Sequence, residues 1–258
     1  MTKNKTRLFS LTQIFSVIFW LIVWFVTSRI INQELILSSP LAVLQKIGEY
    51  IKEADFWKTV LYSFTRISAG FLLAILLGTV LAVLSYRYEM VKILLNPLIA
   101  VIKSVTVASL IILFLVWFQP ERLSIIISIF MAFPIIYTNV LKGLQEVDKN
   151  LLEMAKIFRI TTLKKIVYIY VSQVMPYFES AGTSALGLAW KAGIAAEVIG
   201  LPKGSIGESL YESKIYLNTE NLFSWTIVII ILGYISEKIF LYIIRYCIAK
   251  IMGDTYEY

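Results

Sequence analysis

Histidine is absent from the chain, and cysteine occurs once, at Cys247. These two gaps exclude a histidine-centred catalytic triad, a disulfide framework, and a zinc site built from clustered cysteine and histidine. No GxxxxGK[ST] run occurs, so the chain does not hold a nucleotide in the P-loop manner. Charge is scarce as well. Charged residues make up 16% of the sequence, against about 25% in soluble domains. What fills the space is apolar: 59% of residues are hydrophobic and the mean hydropathy is +0.78. That much apolar surface cannot be hidden in one soluble core, so the expected solvent is a lipid bilayer. At roughly 20 residues per crossing, the length accommodates about six spans joined by short loops.

The net charge of +7 does not require a nucleic-acid partner. Lysine and arginine collect in the cytoplasmic loops of membrane proteins, and that asymmetry accounts for the excess. Successive apolar runs place spans at about Ile14–Ile31, Val60–Leu84, Pro97–Phe118, Ile125–Leu141, Tyr177–Ile199 and Phe223–Ile244. The expected fold is an all-α membrane protein with about six transmembrane helices. It forms a single polytopic domain over residues 1–258, with an N-terminal span at 14–31 and a core at about 58–246. Lys3, Lys5 and Arg7 precede the first span with no small-residue cleavage site after it. They predict a retained span and a cytoplasmic N-terminus. An even span count returns the C-terminus, with Arg245 and Lys250, to the same side of the cell membrane.

Between the first two spans, Leu44, Ile47 and Ile51 suggest an amphipathic helix on the outer surface. Small residues recur every fourth position in the second span, at Gly70, Ala74, Gly78 and Ala82. They recur again in the fifth, at Ala181, Ala185, Ala189 and Gly193. In lipid such stripes let helix backbones approach closely, which predicts packing surfaces. Pro134 is expected to kink the fourth span.

Ionisable residues at membrane depth cost several kcal/mol unless paired or hydrated. Lys103, Glu179, Lys191 and Glu197 are of this kind. Glu179 can reach water at the inner boundary. On one helix Lys191 and Glu197 lie roughly 120° and 9 Å apart, too far for a direct pair. Each therefore either finds a partner on another helix or lines a hydrated path, and a stand-alone secondary transporter or channel using Lys191 and Glu197 is one reading.

The stretch Asp148–Pro176, within the loop region 143–176, is charged yet lies between greasy segments. Leu151, Leu152, Ala155 and Phe158 recur at helical spacing, and Thr161 and Thr162 offer N-cap oxygens to a second helix. A helix, a turn and a basic helix also describe a DNA-binding unit, but flanking spans and few donor side chains argue against it.

Glu153, Met154 and Ala155, a turn at Arg159, then Met175-Pro176 resemble the E-A-A loop signature of a known family. It is that of the inner-membrane permease subunits of binding-protein-dependent ABC importers. Phe133-Pro134, Asn139, Gly143 and Asp148 resemble the family's approach to that loop. Upstream, Ser39-Pro40, Val43, Ser63, Arg66, Gly70 and Phe71 resemble the branch that imports nitrate, sulfonates and taurine. The resemblance implies the type I importer permease fold, with a cytoplasmic coupling helix between the fourth and fifth spans. It also implies partners: a cytoplasmic ATPase dimer that handles the ATP, an external solute-binding protein, and a second permease copy, in homodimer. The chain itself is then no enzyme and carries no cofactor. By the same resemblance, Asp148, Leu152, Glu153, Ala155, Lys156, Phe158 and Arg159 dock the ATPase, and Lys103 matches a basic position of the family. As charges at membrane depth, Lys103, Lys191 and Glu197 are the residues expected to line the path of a small anion. Two departures stand out. Arg159 occupies the position where the family's turn has glycine, and Thr106 follows Lys103 where the branch has proline.

Overall fold

A computed structural model describes residues 2–31, 33 and 36–252, with side chains for 15–31, 33 and 36–250. All regular structure among them is helical: α1 (Thr2–Ile31), α2 (Pro40–Tyr50), α3 (Ala54–Arg87), α4 (Glu89–Ser104), α5 (Val107–Leu115), α6 (Pro120–Gln145), α7 (Lys149–Ile157), α8 (Thr162–Lys165), α9 (Ser172–Gly200), α10 (Ile206–Ile215) and α11 (Thr219–Met252), with a π-helical stretch at Ile166–Val171. The side chains of Lys3, Lys5, Arg7 and Ile14 lie outside the described residues.

The core sits where α6 is sandwiched between α3 and α9. Both small-residue stripes are buried there. A Cβ on Gly70 would stand 2.5 Å from the Ile125 carbonyl oxygen, and one on Gly193 would stand 2.7 Å from the Ile67 side chain. Backbone contact of this closeness is what small residues permit and a larger side chain forbids. Gly70 meets Ile125 and Ser128, while Gly78 meets Ile136 and Tyr137, so α3 and α6 run parallel. In contrast, Gly143 meets Tyr177 and Gly200 meets Leu123, so α6 and α9 are antiparallel. Phe240 of α11 packs on Gly182 and Phe178, and Arg245 faces Glu179 at 3.8 Å.

Parallel α3 and α6 require the chain between them to return across the full thickness of the bundle. The expected third span does this as a broken element. It is not one helix from Pro97 to Phe118: α4 begins at Glu89, ends at Ser104, and meets α5 at 102°. The break is local in origin. Val105 and Thr106 are extended, and the Thr106 hydroxyl caps α5 by accepting from the Ser109 N–H. By length and composition α3, α6 and α11 can each cross a membrane, and a fourth crossing is reached when the bent α4–α5 pair is taken as one span. The described side chains of α1, from Phe15 to Ile31, form an apolar stretch as well. The count of six is therefore not reached on that criterion. The polar residues along α9 keep it out of the set.

Two further expectations change, and one element is added. The outer amphipathic helix buries Pro40 and Val43 and leaves Leu44 and Ile51 exposed. Its inner face is fixed by the Ser224 hydroxyl, which donates to the Val43 carbonyl, and by Tyr50 against Phe56 and Trp225. The segment after α9 contains a helix of its own, α10. The basic helix starting at Thr162 does not stop before the fifth span: helical backbone continues from α8 through Ile166–Val171 into α9. α6 likewise continues through Pro134, whose carbonyl accepts from the Thr138 hydroxyl at 2.7 Å.

Candidate functional site: the α7 face and the charged residues of α9

α7 projects beyond the end of the bundle formed by the C-terminus of α6 and the start of α8. Asp148 is its N-cap, the carboxylate accepting from the Asn150 N–H at 2.8 Å. The Asp148 N–H in turn donates to the Gln173 side-chain oxygen at 2.8 Å, tying the start of α7 to α9. Leu152 and Ala155 face inward, with Ala155 buried. Glu153, Lys156, Phe158 and Arg159 face out.

The helix ends in a Schellman turn. The Ile160 N–H donates to the Ala155 carbonyl at 2.9 Å and the Arg159 N–H to that of Lys156 at 3.2 Å. Arg159 takes φ 51°, in the left-handed region. The departure from glycine is thus borne as strain, of order 1–2 kcal/mol, without rebuilding the turn. Arg159→Gly should raise the stability of the chain by up to about 1 kcal/mol, read as a rise in thermal midpoint in detergent. Unchanged or lowered stability would mean that the arginine side chain is itself stabilising.

The exposed surface around this turn is unusual. Met154 (51% exposed), Ile157 (76%), Phe158 (70%) and Leu163 (77%) stand clear of the protein beside Lys156, Arg159, Lys164 and Lys165. Two open clefts of about 490 Å³ lie on either side of Arg159, one lined by Glu153, Lys156 and Lys165, the other by Phe158, Lys164 and Tyr168. Phe158 does not belong to the buried stripe with Leu152 and Ala155, as its spacing suggested. Ile157 and Leu163 escaped the sequence reading, and Met154 entered it only as part of the loop signature. The signal was there: they are apolar residues off the inward stripe of an otherwise polar helix.

The charged residues of the bundle separate into two kinds. Lys103 and Lys191 are exposed. Lys103 sits beside the α4–α5 break, its ammonium 3.5 Å from the Thr138 hydroxyl. Lys191 lies one turn from Leu188 and Ala195, which pack toward α5. Glu197 is fully buried, one oxygen accepting from the Ser63 hydroxyl at 2.6 Å and from the Gly207 N–H at 3.4 Å. The structure does not join Glu197 to Lys191. Arg66 is held at the α3–α6 end by the Glu121 carbonyl and lies against the Tyr62 ring at 4.1 Å.

The assembly defines a class: an all-helical, multi-pass membrane protein with a small helical unit displayed at one end. Residues 70–252 match the family described as the binding-protein-dependent transport system inner membrane component, and the chain belongs to that family. Relatives include SsuC, a permease protein of Bacillus subtilis (strain 168), 24% identical over 79% of this chain and 74% of its own length. The taurine transport system permease protein TauC of Escherichia coli (strain K12) is 23% identical over 83% and 80%. The nitrate import permease protein NrtB of Synechococcus elongatus is 28% identical over 75% and 73%. Membership in this family identifies the chain as the permease component of an importer, and the stand-alone transporter reading is dropped.

Proposed function

We propose that the chain forms the membrane path by which an external solute-binding protein delivers a small anion, with ATP hydrolysed by a separate cytoplasmic subunit that docks on α7. The observation that carries this is the exposed apolar and basic surface around Arg159. Ile157, Phe158 and Leu163 have no reason to face water unless a partner covers them. Lysines and arginine around them favour an acidic patch on that partner. On this reading the α7 end is cytoplasmic. That end also holds Arg87, Lys92, Lys142 and Arg245, as the positive-inside rule requires. Both chain termini then lie in the cytoplasm, and α2 and α10 lie outside. Two copies enclose the path within lipid, and the chain acts as one polytopic domain. Lys103 and Lys191, both exposed, attract the anion. The taurine and nitrate permeases among the relatives support an anionic solute. Partner binding to one state over the other drives the alternation between inward-open and outward-open forms.

Glu153 is exposed and caps nothing, so Glu153→Lys tests docking without disturbing the fold. Pull-down of the ATPase subunit by the variant should fall at least tenfold, with transport lost in proportion. A variant that retains both association and transport would overturn the docking assignment.

A further inference from the structure

Glu197, expected from the sequence to line the path, is fully buried, and the roles proposed above leave its carboxylate unused. It lies in the last turn of α9, where three elements meet. The Ser63 hydroxyl of α3 donates to it at 2.6 Å, and the same Ser63 oxygen accepts the Ile206 N–H at 3.0 Å. The Gly207 N–H reaches the Glu197 carboxylate directly. The first free N–H groups of α10 are thus satisfied by a serine of α3 and a glutamate of α9. The fit is tight: a Cβ on Gly207 would collide with the Glu197 backbone and Cβ. The chain from α9 to α10 turns through Leu201 at φ 52° and Gly204 at φ 72°, with Pro202 buried between them. This linker is short: its first N–H, that of Leu201, donates to the Glu197 backbone carbonyl, and the helix that follows it is tied to the Glu197 carboxylate.

At its other end this helical run begins at Thr162, beside the α7 turn. Thirty-nine residues at helical rise span roughly 58 Å. We propose that Glu197 is a latch that makes α10 move as one body with α9, so that displacement at the α7 end is delivered to the outer segment 201–218. Glu197 is here a positioning residue. The transmission rests on α7 being the ATPase-docking end, while the latch itself does not.

The experiment has two arms, on Glu197→Ala, Glu197→Gln and Ser63→Ala. In the first, amide hydrogen exchange at Ile206 and Gly207 is measured on the chain alone in nanodiscs. Exchange should quicken at least tenfold in Glu197→Ala and Ser63→Ala. Glu197→Gln, whose amide oxygen still accepts both bonds, should stay within about threefold of wild type. Unchanged exchange in Glu197→Ala would overturn the latch. If Glu197→Ala does not fold, Ser63→Ala decides the same point.

In the second arm, Tyr216→Cys is placed at the exposed C-cap of α10 in a Cys247→Ser background, and thiol labelling is followed with and without ATP in the assembled transporter. Wild type should show an ATP-dependent labelling rate. Glu197→Ala should lose that dependence while keeping ATPase association, and Glu197→Gln should restore it. Persistence of the dependence in Glu197→Ala would overturn the transmission. A wild-type transporter with no ATP dependence would count against the docking reading and the transmission together, and the exchange arm would still decide the latch.

Discussion

Truncating Phe158 to alanine should weaken ATPase association by at least roughly 30-fold. That corresponds to the ~2 kcal/mol of a central aromatic anchor at an interface. Phe158 is 70% exposed at the C-cap of α7, and its backbone already closes the helix through the Met154 carbonyl. Its ring is mostly exposed among the described residues, so the isolated protein should keep its thermal midpoint. The combination is diagnostic. A structural residue would lose stability first, whereas a docking residue loses the partner alone. Titrating the ATPase subunit onto the reconstituted chain gives the affinity, and a thermal scan in the same detergent gives the stability. An unchanged affinity would remove Phe158 from the interface and shift the weight to Ile157 and Leu163 on the neighbouring turn.

Gly70→Ala should destabilise the bundle by about 1–3 kcal/mol, a large effect for one methyl group. The added carbon would press on the Ile125 carbonyl oxygen and the Ser128 Cβ, both part of α6 and neither able to rotate away. Relief requires α3 and α6 to separate along their length, which loosens contacts at Ala74 and Gly78 as well. Gly48→Ala is the control. Gly48 lies within α2 with nothing within 4 Å of its Cβ position, so alanine there should stabilise by roughly 0.5–1 kcal/mol through helix propensity. Opposite signs for the two substitutions in chemical denaturation of the purified protein would establish backbone contact as the cause. A neutral Gly70→Ala would show that the α3–α6 interface has slack.

Much of this protein could be read from its residues. Solvent, helical class and the packing stripes follow from composition and periodicity, because the bilayer leaves the backbone few alternatives and small residues announce close approach directly. The loop at Glu153–Ala155 and the arginine at position 159 were legible through resemblance to a family signature whose turn has glycine; local chemistry by itself supplied the helical spacing and the cap. The broken third span was half visible. Thr106 stood out as a departure, but its hydroxyl could be recognised as a helix cap only once the backbone turned there.

Three features needed the tertiary structure. The exposure of Ile157 and Leu163 depends on which face of α7 meets the bundle, and Gln173, 25 residues away, helps fix that face through the Asp148 N–H. The parallel course of α3 and α6, and with it the crossing made by α4 and α5, follows from contacts between residues about 55 positions apart. Glu197 shows the difference most clearly. The sequence marks it as a charge that must find a partner or water, and periodicity places it at the end of a helix. Only the fold brings Ser63, 134 positions earlier, to within 2.6 Å and turns α10 back onto the same carboxylate. Local propensity determines what each segment becomes, while pairing between distant segments determines what a buried charge is for.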